Sequence, residues 1–203
     1  MAVRELNLSK LNRKTIRLFY MLSPVVFGGV SLVIFRMRGV GVAEAFRAPA
    51  SLTEQILVGL PVGIGFGLAV GLAVARSSRL ASLRKIIHQV FEAARPNLLD
   101  LFLTSASAGF SEELLFRGAV QPLLGIWITS LLFALAHGGG TKASKGNLVF
   151  GLFVFGVSML LGVVYVEVGL LAGMVTHFAL DFSVLLQYRR LVAANAAGQP
   201  NHS

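Results

Sequence analysis

The chain has 203 residues, 55% of them hydrophobic and 13% charged, with a mean hydropathy of +0.76. Soluble domains carry about 25% charged residues, so this composition excludes an ordinary soluble fold and points to a bilayer as solvent. The net charge of +9 does not indicate nucleic acid, because the basic residues sit between apolar runs, and the absence of cysteine excludes disulfides, a thiolate nucleophile and a Cys-type zinc site.

Residues 1–17 form a basic, polar N-terminus. The apolar run Leu18–Phe35 is followed by Arg36, Met37 and Arg38 instead of a small-residue cleavage site, so it reads as a retained anchor. The next run, Gln55–Ala75, carries Gly59, Gly63, Gly67 and Gly71 at spacings of four, a flat stripe for close helix packing. From Leu80 to Ala94, apolar residues recur at helical spacing among Arg84, Lys85 and His88. This predicts an amphipathic helix on the membrane interface, ended by Pro96. Leu98–Arg117 and Gly118–Ala136 follow, with an elbow expected around Pro122 and Gly125 and starting near Val120. Leu148–Val166 and Val168–Tyr188 complete the apolar runs, and Gly169 and Gly173 repeat the small-residue spacing. Residues 189–203 read as a short polar tail, poorly ordered, with His202 outside any site.

The expected fold is an all-α, polytopic transmembrane helical bundle of about six membrane helices plus one interfacial helix. It forms a single transmembrane domain over residues 18–188, with a functional core at about 98–188. Of the 18 lysines and arginines, 14 fall on segments that share a side with the N-terminus and 4 on the other. The positive-inside rule then places both termini in the cytoplasm, as for a multi-pass protein of a bacterial plasma membrane.

Ionisable groups in membrane helices cost on the order of 2.5–3.5 kcal/mol each, so their presence needs a reason. Of nine acidic residues, Glu112, Glu113 and Asp181 fall well inside apolar runs, as do the histidines His137 and His177. Asp100 lies at the end of its run, where it is expected to stay wet. At 1.5 Å per residue, Glu112 lies ~12 Å below the elbow at Val120 and His137 ~18 Å below Gly125. His177 lies ~14 Å and Asp181 ~20 Å below Val168, so the groups share a level near the bilayer middle. Glu113 and Arg117 stand i and i+4 and can pair on one face; Glu112 points about 100° away and is left free. His177 and Asp181 are again i and i+4, so the carboxylate can orient the imidazole or join it at a metal. Phe133 stands one turn from His137, where its ring can fix the imidazole and exclude water.

Two histidines and a free glutamate in a dry cavity suit the activation of water. Glutamate takes a proton, a histidine or a bound metal orients the oxygen, and the other imidazole donates to an oxyanion. Structural burial alone, as ion pairs that fix helix register, accounts for Glu113 and Arg117. Other uses of the same groups are a proton- or ion-coupled transporter and a non-catalytic membrane scaffold. Six helices show no inverted repeat of the transporter kind. A serine protease through Ser111 ranks low, because Gly109-Phe110-Ser111-Glu112 has no glycine after the serine.

Three segments carry a resemblance. Glu112-Glu113-Leu114-Leu115-Phe116-Arg117 resembles an EExxxR motif, Phe133-Ala134-Leu135-Ala136-His137 an FxxxH motif, and His177-Phe178-Ala179-Leu180-Asp181 an HxxxN/D motif. In this order, on membrane helices, they resemble the CAAX prenyl protease and bacteriocin-processing family of intramembrane peptidases, over about residues 98–188. The resemblance implies an endopeptidase acting on membrane-associated protein or peptide substrates, prenylated or bacteriocin-like. It implies Glu112 as general base, His137 holding the water, His177 and Asp181 on the oxyanion side, and Glu113, Arg117 and Phe133 in support. The prenyl-protease branch has asparagine where this chain has Asp181. An ionised aspartate repels an oxyanion, so Asp181 is expected to be protonated or to serve His177 or a metal. A divalent metal such as zinc, on His137, His177 and Glu112, stays open; the HExxH signature is absent.

Overall fold

The computed structural model describes residues 12–139 and 145–197, which are helical almost throughout and contain no strand. In chain order the elements are α1 (Arg13–Arg38), the short α2 (Val42–Ala45), α3 (Leu52–Arg76), α4 (Ala81–Ala94), α5 (Leu98–Glu113), α6 (Gln121–Ala134), α7 (Lys145–Glu167) and α8 (Leu170–Ala197). Two π-helical stretches, Leu114–Val120 and Leu135–Gly139, extend α5 and α6. Among the described residues, five continuous helical segments are long and apolar enough to cross a membrane. Apolar side chains such as Phe19, Val25, Leu57 and Trp127 stand exposed on the outside of the bundle, as lipid-facing positions do. The chain is an integral, multi-pass membrane protein.

The third of these segments, Leu98–Gly138, has 41 residues, about 60 Å of helix and twice a hydrocarbon core. It does not run straight. Gly125 has φ 73 and ψ 169, and the chain reverses there. The Phe116 and Phe133 rings lie 4.9 Å apart, and Glu112 meets His137 across the same hairpin. Both pairs are centred on the bond between Leu124 and Gly125, so the two legs run antiparallel. The predicted runs 98–117 and 118–136 are thus one hairpin, and of the two elbow residues expected, Pro122 and Gly125, the chain turns at Gly125. The helix passes through Pro122 without reversing. Proline has no N–H for the carbonyl four residues earlier, that of Gly118, and Arg38 Nη1 donates to it instead at 3.1 Å.

α8 is seated by the glycine stripe of α3. A Cβ added at Gly63 would lie 2.4 Å from the Thr176 carbonyl oxygen, and one at Gly67 2.6 Å from that of Leu180. At this approach Thr176 Oγ1 donates to Gly59 O (3.3 Å) and Gln187 Nε2 to Gly67 O (3.1 Å). The stripe therefore fixes the height and rotation of the helix that carries His177 and Asp181. α7 is held beside the α5 extension, where Gln121 Nε2 donates to Gly162 O at 3.1 Å.

Two further expectations change. Asp100 is not wet: it is 1% exposed, paired with Arg13 and Arg17 and closed into a capping box with Asn97. Residues 189–197 of the expected tail are helical, because α8 continues through Ala197. Its alanine-rich sequence has high helix propensity and meets no glycine before 198. Residues 198–203, with His202, lie outside the described residues, as do residues 1–11 of the basic N-terminus. The interfacial helix forms as α4 and ends in Arg95, whose φ of 43 precedes Pro96.

Candidate active site

The hairpin and α8 bring the sequence-predicted residues together. Glu112 lies twelve residues after Asp100 and thirteen before Gly125, about 18–20 Å from either end of its leg. Its Oε2 stands 3.5 Å from His137 Nε2. The other ring nitrogen, Nδ1, lies 2.9 Å from the Phe133 carbonyl oxygen, one turn back on the same leg. A carbonyl only accepts, so Nδ1 carries the proton and the Nε2 edge faces Glu112. At 3.5 Å the two groups are too far apart for a good direct hydrogen bond, and Glu112 Oε2 is buried with no hydrogen-bond partner.

The second histidine sits between two carboxylates. His177 Nδ1 is 2.9 Å from Glu113 Oε1, and Nε2 is 3.5 Å from Asp181 Oδ2. The sequence places Asp181 beside His177 but assigns Glu113 only to Arg117. Both contacts of Glu113 exist: Oε2 is 3.2 Å from Arg117 Nε. Glu113 thus links α5 to α8 as well as to its own helix. Gly173 makes room for it, since a Cβ there would already touch Glu113 Oε2 at 3.4 Å.

Arg117 is fully buried, and α7 holds its outer end. Arg117 Nη2 donates to both the carbonyl and the hydroxyl of Ser158, each at 3.1 Å. Its guanidinium carbon lies 5.0 Å from the centre of the Phe133 ring, a cation–π distance. The same ring stacks on His137 at 4.2 Å and meets His177 edge-on at 6.1 Å. Phe133 is therefore the apolar floor on which both imidazoles and the guanidinium rest. Sequence reasoning missed Ser158. It is one hydroxyl in an uncharged helical run, and only the parallel docking of α7 against the α5 extension turns it inward.

Exposure orders the site. The side chains of Glu113 and Arg117 are 0% exposed and that of His177 7%, whereas those of His137 and Asp181 are 36% and 34% exposed. His137 and Asp181 mark the open side, and Glu113 and Arg117 the sealed back. Ser111 faces away, toward α1, where its hydroxyl meets that of Ser23 at 2.9 Å.

A metal on His137, His177 and Glu112 does not fit this arrangement. Among the described residues, no three His, Asp or Glu side chains come close enough to hold one ion. The free edges of the two imidazoles turn to different carboxylates, Glu112 and Asp181.

Residues 94–183 match the protein family described as type II CAAX prenyl endopeptidase Rce1-like. A segment of 90 residues is 39% identical to the uncharacterized protein YpbD of Bacillus subtilis (strain 168). That segment is 44% of this chain and 45% of YpbD, so the likeness spans less than half of either protein. No solved structure matches.

Proposed function

We propose, from the premise that residues 94–183 belong to the Rce1-like type II CAAX prenyl endopeptidase family, that this chain is an intramembrane endopeptidase. The carrying observation is the unpartnered, buried Glu112 Oε2 facing the Nε2 edge of His137 at 3.5 Å. A glutamate oxygen and an unprotonated imidazole nitrogen are both acceptors, and one water between them gives a hydrogen to each. Glu112 removes a proton while His137 accepts the second hydrogen bond, and the oxygen attacks the scissile carbonyl. Phe133 O fixes the His137 tautomer, so the unprotonated Nε2 is the edge that accepts from the water. The proton held by Glu112 then passes to the leaving amine, which completes hydrolysis.

His177 serves the oxyanion. Its Nδ1 is committed to Glu113, and when Nε2 is protonated that edge donates to the developing negative oxygen. Asp181 faces the same Nε2 edge of His177 at 3.5 Å and orients the ring. Glu113, Arg117 and Phe133 hold the site and do not react. The substrates are membrane-associated proteins or peptides, prenylated or bacteriocin-like, that reach the site from its His137 and Asp181 side. The surplus of lysine and arginine on segments sharing a side with the N-terminus supports a cytoplasmic orientation of that side in a bacterial plasma membrane.

The test is cleavage of membrane-tethered peptides by the protein in liposomes. Glu112→Gln and His137→Ala are each expected to abolish cleavage while the protein still inserts. Retained cleavage in either variant removes the role given to that residue. Ion flux that depends on His177, with no peptide cut, would replace the peptidase with a transporter.

A further inference from the structure

The Asp100 end of the bundle holds a cavity of about 240 Å³, whose α5 lining lies about two to three turns before Glu112. It lies between α1 (Thr15, Ile16, Phe19), α4 (Val90, Phe91) and α5 (Leu101, Thr104), and its lining is almost wholly apolar. Arg13 and Arg17 of α1 bracket its lining residues Thr15 and Ile16 in sequence, and both pair with Asp100, the neighbour of its lining residue Leu101. Arg13 and Arg17 each direct Nε at Asp100, one to either carboxylate oxygen. The Nη groups of both make no hydrogen bond among the described residues, and their side chains are 40% and 47% exposed. One carboxylate thus aligns two guanidinium forks and neutralises only one of them. Lys14 and Arg95, both exposed, add charge of the same sign.

We infer that this is a binding site for one anionic phospholipid. Its phosphate lies between the Nη groups of Arg13 and Arg17, and an acyl chain enters the slot between α1, α4 and α5. Planar guanidinium forks suit a phosphate better than lysine does, because each offers two parallel donors. Burying Asp100 is what gives the pair its geometry: two flexible arginines are held at a fixed spacing before any lipid arrives. The larger apolar groove between α6 and α7, lined by Trp127, Leu131 and Phe155, has no such cation among its described lining residues and gives no ground for choosing among lipids. The inference does not rest on the peptidase reading.

The experiment is native mass spectrometry of the full chain after exchange into mixed phosphatidylglycerol and phosphatidylcholine nanodiscs. The native protein should retain one phosphatidylglycerol in preference to phosphatidylcholine. Arg17→Gln should weaken that preference about fivefold, the worth of one basic residue at an anionic surface. Arg17→Lys keeps the pairing charge for Asp100 but loses the fork, and should fall between the two. Ile16→Trp fills the slot without touching any charge and should release the lipid while the melting temperature holds. Equal retention of both lipids by the native protein, or full retention of phosphatidylglycerol by Ile16→Trp, overturns the site.

Discussion

Asp100 and Glu112 are both buried carboxylates on one helical leg, twelve residues apart, and they are treated in opposite ways. Asp100 is saturated: two arginines and the Asn97 N–H at 3.0 Å, one half of the capping box, account for its oxygens. Glu112 has one histidine at 3.5 Å and an oxygen with no hydrogen bond. A saturated carboxylate holds helices together and has nothing left to give. An undersatisfied one at mid-membrane depth costs stability and stays in place only where something else has to bind it. Glu113, next in the chain, stands between these extremes, with His177 on one oxygen and Arg117 near the other.

The largest expected effect breaks the comparison most directly. Glu112→Gln should lower peptide cleavage by about 10²–10⁴-fold, the usual worth of a general base. It should leave thermal unfolding in detergent unchanged or raise its midpoint, since a poorly partnered buried charge is removed. Asp100→Ala should do the reverse. The loss of the capping box and of the arginine pair costs about 2–3 kcal/mol, toward the low end for a buried pair because both arginines reach water. Cleavage per folded molecule should be unchanged. If Asp100→Ala silenced the folded enzyme, or Glu112→Gln unfolded it, the two carboxylates would not divide their work in this way.

A smaller effect tests how the two histidines are brought to one level. Gly63→Ala puts a Cβ within 2.4 Å of the Thr176 carbonyl oxygen, so α8 has to retreat. The cost in stability is about 1–2 kcal/mol. Because Thr176 is the neighbour of His177, cleavage should fall about tenfold or more as well. Gly65→Ala on the same helix has open space around it and is the control for both readouts.

The sequence made some of this legible and hid the rest for a physical reason. Helix periodicity and the cost of charge in lipid pick out Glu112, His137 and His177, because each is a rare residue within an apolar run. The hairpin was legible only to within a turn. Pro122 and Gly125 both signal a bend, but the Arg38 donor that lets the helix pass through Pro122 comes from another helix. Asp100 was misread as wet because its partners, Arg13 and Arg17, are more than 80 residues away. The Glu113 contact with His177 was hidden for the same cause. An i, i+4 neighbour such as Arg117 can be read along one helix, whereas a partner 64 residues away needs the packing of α5 on α8.

Ser158 is the least conspicuous member of the site and gives the finest test of it. Its hydroxyl and carbonyl both receive Arg117 Nη2, so Ser158→Ala removes one of two contacts and leaves the carbonyl in place. The expected loss is about 1–2 kcal/mol of stability, for a hydrogen bond to a charged group in a buried setting. Arg117 reaches the reacting groups only indirectly, through Glu113 to His177 and through the Phe133 ring on which it rests. A loosened Arg117 should therefore act on oxyanion stabilisation and not on substrate binding: kcat falls several-fold while KM holds. Ser158→Thr keeps the hydroxyl and should restore most of kcat. A change in KM alone would instead place Ser158 on the substrate path and detach α7 from the sealed back of the site.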